Sequence, residues 1–183
     1  VQISAIPVEY PHMHAARSLA PLSSLLLVGI LAGCAPKPIF HSQTPSIAAT
    51  PAQVGQTPER YTHSTVIWGG KVVQVKNLAD HSEVEILGYP LDASQRPRAN
   101  ESAGGRFIAV MDGYVEPLAY PDGAMVTVLG TLDGNRAGQV GEASYVFPLV
   151  RVAQAHRWTP EELQRGRSNV HFGVGLGVAI RQV

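Results

Sequence analysis

Between residues 66 and 158 apolar and polar positions alternate in short runs, each bounded by turn-forming residues. Val66–Asn77 (VIWGGKVVQVKN) is rich in β-branched residues and stops at the polar sequence LADHS. In Glu83–Asp92, Val84 and Ile86 fall on one face of a strand and Glu83 and Glu85 on the other. One face is therefore predicted to be buried and the other solvated. A polar loop, ASQRPRANESAGG, leads into the strand RFIAVMDG; the long run AMVTVLGTLDGNRAG follows, and Tyr145–Trp158 makes a fifth strand. Asp-Gly pairs at 112, 122 and 133 open or close these runs, and Asp133-Gly134-Asn135 reads as a tight hairpin turn.

Glycines inside strands, Gly88 and Gly130, mark bulges or sharp bends of the kind a small barrel needs at its corners. The fold class predicted is all-β: a small five- to six-stranded OB-like barrel over residues 64–158, with a two-sheet sandwich as the alternative. Residues 159–183 are predicted to complete the domain with a short helix and a terminal strand. Thr159 caps the helix, Pro160 fills its first turn and Glu162 completes a capping box. Farther on, Val170, Phe172, Val174, Leu176, Val178 and Ile180 alternate with His171, three glycines and Ala179. That gives a strand with one apolar face and one nearly bare face. It either lies under another backbone or contacts a membrane or a second copy of the chain.

Composition narrows the function classes. The 183 residues carry 14 basic and 14 acidic side chains, so no basic footprint for nucleic acid exists. Eighteen glycines and 14 prolines agree with many short connections. The single cysteine excludes an intramolecular disulfide, a thiolate zinc cluster and a CxxC redox pair.

That cysteine, Cys34, ends a greasy run. Leu19–Leu31 is uncharged and too short to span a bilayer, which needs about 20 residues. With Arg17 before it, the run has the form of a signal-peptide core. Leu31-Ala32-Gly33-Cys34 resembles the lipobox of bacterial lipoproteins, which implies cleavage before Cys34 and acylation of that residue. The alternative is a buried helix ending in Gly-Cys. Stable anchoring takes two or more acyl chains, each buried methylene contributing roughly 0.8 kcal/mol. Met13 is the expected translation start, so residues 1–33 form an N-terminal extension plus signal peptide. Ala35, where an Asp would imply inner-membrane retention, points by resemblance to the outer membrane. Residues 34–63, with prolines at 36, 38, 45, 51 and 58, are predicted to be a flexible tether.

The barrel segments resemble the Slp-type outer-membrane lipoproteins of Gram-negative bacteria, the starvation-inducible family. The matching pieces are WGG at 68–70, YPLD followed by RPR, GGRFIAV at 104–110, VLGTLDGNRAGQVGE at 128–142 and the PLV of YVFPLV. Phe147 stands where a tyrosine is expected. The resemblance implies an envelope location and no reaction.

Motifs for catalysis are weak. GxSxG, HExxH and P-loop sequences are absent. Asp133-Gly-Asn135 begins like a calcium loop, but its twelfth position is Ser144 where a bidentate Glu is required. Asp80, His81, Glu83 and Glu85 can be drawn as an acid/base cluster, but a solvated strand face explains the two glutamates. His63, His156 and His171 have no ligand spacing, so no metal is expected. Arg96, Arg98 and Arg106 could grip an anionic sugar or phosphate, and Trp68 and Trp158 could form a stacking platform. The reading is a non-enzymatic outer-membrane lipoprotein, anchored through Cys34 on the periplasmic side and serving envelope structure or stress response. It needs no cofactor beyond its acyl chains. Its partners would be the bilayer and an envelope protein or glycan, not nucleic acid. The alternative is a binding module for an envelope saccharide or other small anionic ligand, using those arginines and tryptophans.

Overall fold

A computed structural model describes residues 37–164. Five strands carry the fold: β1 (Thr65–Asn77), β2 (His81–Tyr89), β3 (Gly105–Asp112), β4 (Met125–Val140) and β5 (Ala143–Arg157). Each coincides with one of the five runs of alternating sequence. Two short helices flank them, α1 (Pro51–Gln56) and α2 (Pro160–Gln164).

The strands close into a barrel in the order β1-β2-β3-β5-β4, with β4 returning to β1. Neighbours are antiparallel except β3 and β5, which pair in parallel over Ile108–Val110 and Leu149–Arg151. This is the five-stranded Greek-key order of an OB barrel; the ring closure rules out two separate sheets. β1 makes closure possible by serving two partners. It pairs with β4 over Thr65–Lys71 and with β2 from Gly69 onward. Where the two pairings overlap the chain runs through Gly69-Gly70, and a Cβ on Gly70 would lie 1.9 Å from the Leu87 carbonyl oxygen. Only glycine permits that approach.

Alternation builds the core. Val66, Trp68 and Val72 from β1 meet Val84 and Ile86 from β2, Phe107 and Ala109 from β3, Val126, Val128 and Leu132 from β4, and Val150 from β5. Trp68 packs edge-on against Phe107 at 5.2 Å between ring centres. Gly130 sits at a register break opposite β5, as its position inside a strand predicted. Gly88 shows no break; it is small because Gly105 and Pro51 crowd it.

Asp133-Gly134 is not the hairpin turn expected. It lies inside β4 at an irregularity between Leu132 and Asn135, with Gly134 at φ +91°. The strand continues to Val140, and the turn is Gly141-Glu142. The outer halves of β4 and β5 therefore form an arm that runs on past the buried part of β4.

The flexible tether is also corrected for its described part. Phe40 and Val54 are buried. Thr50 and Gln53 form a reciprocal capping box for α1, with Pro51 in the first turn. Ile47 donates its N–H to the Thr65 carbonyl, Ala52 to Gly104, and the Trp68 indole donates to the Ala49 carbonyl. The prolines stop regular ladders but do not prevent packing. At the other end α2 has the capping box expected of Thr159 and Glu162. Residues 1–36 and 165–183, which include the lipobox and the glycine-rich strand, lie outside the described residues.

Candidate functional site

OB barrels present a working face on β2 and β3, next to the loops β1–β2 and β4–β5. Here that face carries Glu83 and Glu85 from β2, whose side chains oppose the core set Val84 and Ile86. Glu83 is not solvated as the alternation suggested. It is buried, because the β4–β5 arm brings Arg136 across it, with Nη1 2.7 Å from Oε2 and Nη2 2.5 Å from Oε1. The guanidinium holds the Glu83 carboxyl below the usual carboxylate range, by hydrogen bonding first and charge second, against the opposing pull of burial. Gln74, Lys76, Ile108 and Phe147 complete a cleft of about 200 Å³ beneath the arm.

His81, at the start of β2, lies between carboxylates. Its Nδ1 is 2.7 Å from Asp80 Oδ1 and its Nε2 3.4 Å from Glu83 Oε1. The Asp80 hydrogen bond raises the imidazole pKa above its ordinary value, and the same contact lowers that of Asp80. Arg151 bonds Asp133 at 2.7 Å nearby and lies 3.9 Å from Asp112. The expected acid/base set thus becomes a network of paired charges that latches the arm to the barrel.

The proposed anion site is not assembled. Arg96 bonds Asp92 through Nε at 3.0 Å and donates to the Glu162 carbonyl. Arg98 pairs with Glu101 at 2.6 Å, and Arg106 pairs with Glu85 on the arm-covered face. Each guanidinium meets a carboxylate of its own chain, so three free cations do not converge. The stacking platform fails for a related reason. Trp68 faces the core, and Trp158 is buried with its Nε1 donating to Thr127 Oγ1 at 2.9 Å and its ring edge-on to His156. His63 and His156 are far apart in sequence and join no metal-binding group among the described residues.

Two features escaped the sequence reading. One is an apolar groove of about 290 Å³, walled by Ile47, Ala49, Ile67, Trp68, Tyr89 and Leu91, between α1's approach and the open end of β1. The other is the end of the barrel carrying Leu78, Tyr114 and Leu118, the large apolar side chains that stand exposed among the described residues. Asn77 and Ser82 bond Val115 and Gly113 there, tying the β1–β2 turn to the loop after β3.

The family model described as the outer membrane lipoprotein Slp family matches residues 31–174. The chain belongs to the Slp family. Among its relatives, an uncharacterized lipoprotein of Escherichia coli K12, YeaY, is 32% identical over 130 residues, 70% of this chain and 67% of that protein. The outer membrane protein Slp of the same organism is 29% identical over 154 residues, 82% of this chain and 81% of its own. A small single-stranded DNA-binding protein from Streptomyces coelicolor is similar in structure at a TM-score of 0.32 and 14% identity, over 55% of this chain and 98% of that one.

Slp membership puts the chain among outer-membrane lipoproteins. The family match begins at Leu31, the first residue of Leu-Ala-Gly-Cys. In this Slp barrel the arm hairpin and its Arg136 take up the β2–β3 face, and α1 packs beside the arm, where Gly55 has room for no Cβ against the Val146 carbonyl.

Proposed function

We propose that this protein is a lipid-anchored, non-catalytic component of the outer membrane. In this reading Leu31, Ala32 and Gly33 present the cleavage site, Cys34 carries the acyl chains, and the barrel stands on the periplasmic side. It would serve envelope structure or stress tolerance through contact with an envelope protein or glycan. The observation that carries the reading is the Slp match starting at the lipobox itself. The site geometry supports the non-catalytic part. Glu83 pairs with Arg136 across the arm and Glu85 with Arg106 on the adjacent strand, an arrangement that neutralises these four side chains and stiffens the face.

Anchoring would also be short. Phe40 is pinned, its N–H donating to Gln95 Oε1 at 2.8 Å while Gln95 Nε2 donates to the Phe40 carbonyl. Only the segment between Cys34 and Phe40 can then pay out, at most about 3.6 Å per residue and roughly 20 Å in all. A lipidated Cys34 would hold the barrel against the headgroups, not on a long leash.

The test is density-gradient separation of inner and outer membranes from cells producing wild type or Cys34→Ser. Wild type is expected in the outer-membrane fraction and the variant in the soluble periplasm. Equal sedimentation of the two would remove Cys34 as the anchor.

A further inference from the structure

We propose that the end of the barrel formed by the β1–β2 turn and the loop between β3 and β4 docks a basic segment of another envelope protein. This deepens the envelope-protein contact proposed above and rests on it. Leu78 from the turn, and Tyr114 and Leu118 from the loop, stand in water with relative exposures of 39%, 71% and 84%. They ride on a braced surface, not a slack one. Ser82, buried in β2, donates to the Gly113 carbonyl at 2.7 Å and accepts the Val115 N–H at 2.9 Å. Asn77 Nδ2 donates to the Val115 carbonyl at 3.0 Å, and the Gly113 N–H to the Asp80 carbonyl at 3.3 Å. Glu116 caps the short turn Pro117–Ala119, its carboxylate accepting from the Leu118 N–H. A surface fixed before contact loses little conformational freedom on binding, so a few apolar anchors can carry affinity.

Charge names the chemistry of the partner. The whole chain balances 14 acidic against 14 basic side chains, yet this end is one-sided. Residues 78–81 and 112–124 contain Asp80, Asp112, Glu116 and Asp122, all exposed, and no Lys or Arg. Asp112, Tyr114, Glu116 and Leu118 alternate along the loop, so acid and apolar side chains are interleaved. His81 bonds Asp80, and Arg151, held by Asp133 at 2.7 Å, lies 3.9 Å from Asp112. Glu116 and Asp122 form no ion pair among the described residues. Such an end repels the phosphates of lipid headgroups and of nucleic acid, both of which select Lys and Arg. It attracts a surface of opposite sign. An apolar centre with a charged rim is the anatomy of a protein–protein contact, and Tyr is among the side chains enriched there. A second copy of the chain fits poorly, because a two-fold contact through this end would set its carboxylates against themselves. The occupant is therefore a protein segment that presents Lys or Arg beside apolar side chains.

The test is photocrosslinking of the full chain in intact cells. The apolar photoprobe p-benzoylphenylalanine replaces Leu118 or, as a control, Gln154, which is exposed on β5. One adduct with one other protein is expected, several-fold stronger from 118 than from 154. Asp112→Lys with Asp122→Lys leaves the Glu116 cap in place and is expected to weaken that adduct at least several-fold. A carbodiimide, which joins carboxylates to amines at zero length, is expected to link Asp112, Glu116 or Asp122 to a lysine of that same protein. Equal adducts from 118 and 154, or an adduct unchanged by charge reversal, overturn the proposal. So does an adduct with the mass of two copies, or one with phospholipid. A charge-reversed chain that melts below the parent is replaced by Asp112→Asn with Asp122→Asn, held to the same criterion. Density-gradient sedimentation of the same cells reads anchoring separately. Loss of the specific adduct while the chain still sediments with the outer membrane overturns the docking surface alone.

Discussion

Arg136→Met isolates the contact that fastens the arm to the barrel. It removes both hydrogen bonds to Glu83, whose side chain is 6% exposed while that of Arg136 is 46% exposed. Two hydrogen bonds to charged groups contribute about 1.5–3 kcal/mol each at most. Breaking a fully buried pair costs about 3–5 kcal/mol, because the remaining charge is stranded. Arg136 is half in water, so solvent screens its share, and the carboxylate keeps a weak contact with His81 at 3.4 Å. The expected loss is therefore about 2–3 kcal/mol, below the fully buried case. Replacing both partners, Glu83→Leu with Arg136→Met, leaves no stranded charge and is expected to recover to within about 1 kcal/mol of the parent. Urea unfolding of the Cys34→Ser chain at pH 7 reads both, as a shift of midpoint at unchanged slope. An Arg136→Met change under about 0.5 kcal/mol, the size of an ordinary surface substitution, would refute the latch. So would a double variant no more stable than the single one. The pH dependence has a definite sign. The folded carboxyl of Glu83 titrates below its unfolded value of about 4.3, so its stabilisation is complete above about pH 5 and is lost as pH falls through the folded value. Wild type should therefore lose more stability than the double variant between neutral pH and pH 3.5.

Other consequences can be checked alongside. Gly70→Ala places a Cβ 1.9 Å from the Leu87 carbonyl, so the barrel should fail to close and the protein should collect in inclusion bodies; native circular dichroism for this variant would contradict the close approach. Trp68→Phe keeps an aromatic ring but loses the indole bond to Ala49, and is expected to cost about 1 kcal/mol while limited proteolysis between residues 41 and 50 accelerates. Thr50→Ala removes the cap of α1 at about 1 kcal/mol, read by thermal melting. Arg98→Ala breaks only an exposed pair with Glu101; stability should stay within about 0.5 kcal/mol, and no anionic saccharide should shift its melting temperature differently from the parent's.

The barrel was legible because its signals are local. Val84 and Ile86 against Glu83 and Glu85, or Val66 and Trp68 against Ile67, declare their faces within a few residues. The burial of Glu83 was not legible, since Arg136 lies 53 positions away and reaches it only through the arm. Other misses had visible cues. Thr50-Pro51-Ala52-Gln53 is the same capping signal as Thr159-Pro160-Glu161-Glu162, yet in a proline-rich stretch it reads as a tether. Asp92 and Arg96 stand four apart, Arg98 and Glu101 three apart, and both pairs are bonded; those spacings already argue against free guanidinium groups. Asp133-Gly134 shows the limit of turn chemistry. The positive φ that glycine supplies serves a bulge as well as a hairpin, and only the register of β5 distinguishes them.

The most direct test of the account is mass spectrometry of the N-terminal peptide of the protein extracted from native membranes. The expected chain begins at Cys34, lacks residues 1–33, and carries a thioether-linked diacylglyceryl group with a further acyl chain on the new amino terminus. A peptide that retains Leu31-Ala32-Gly33, or an unmodified Cys34, would contradict it.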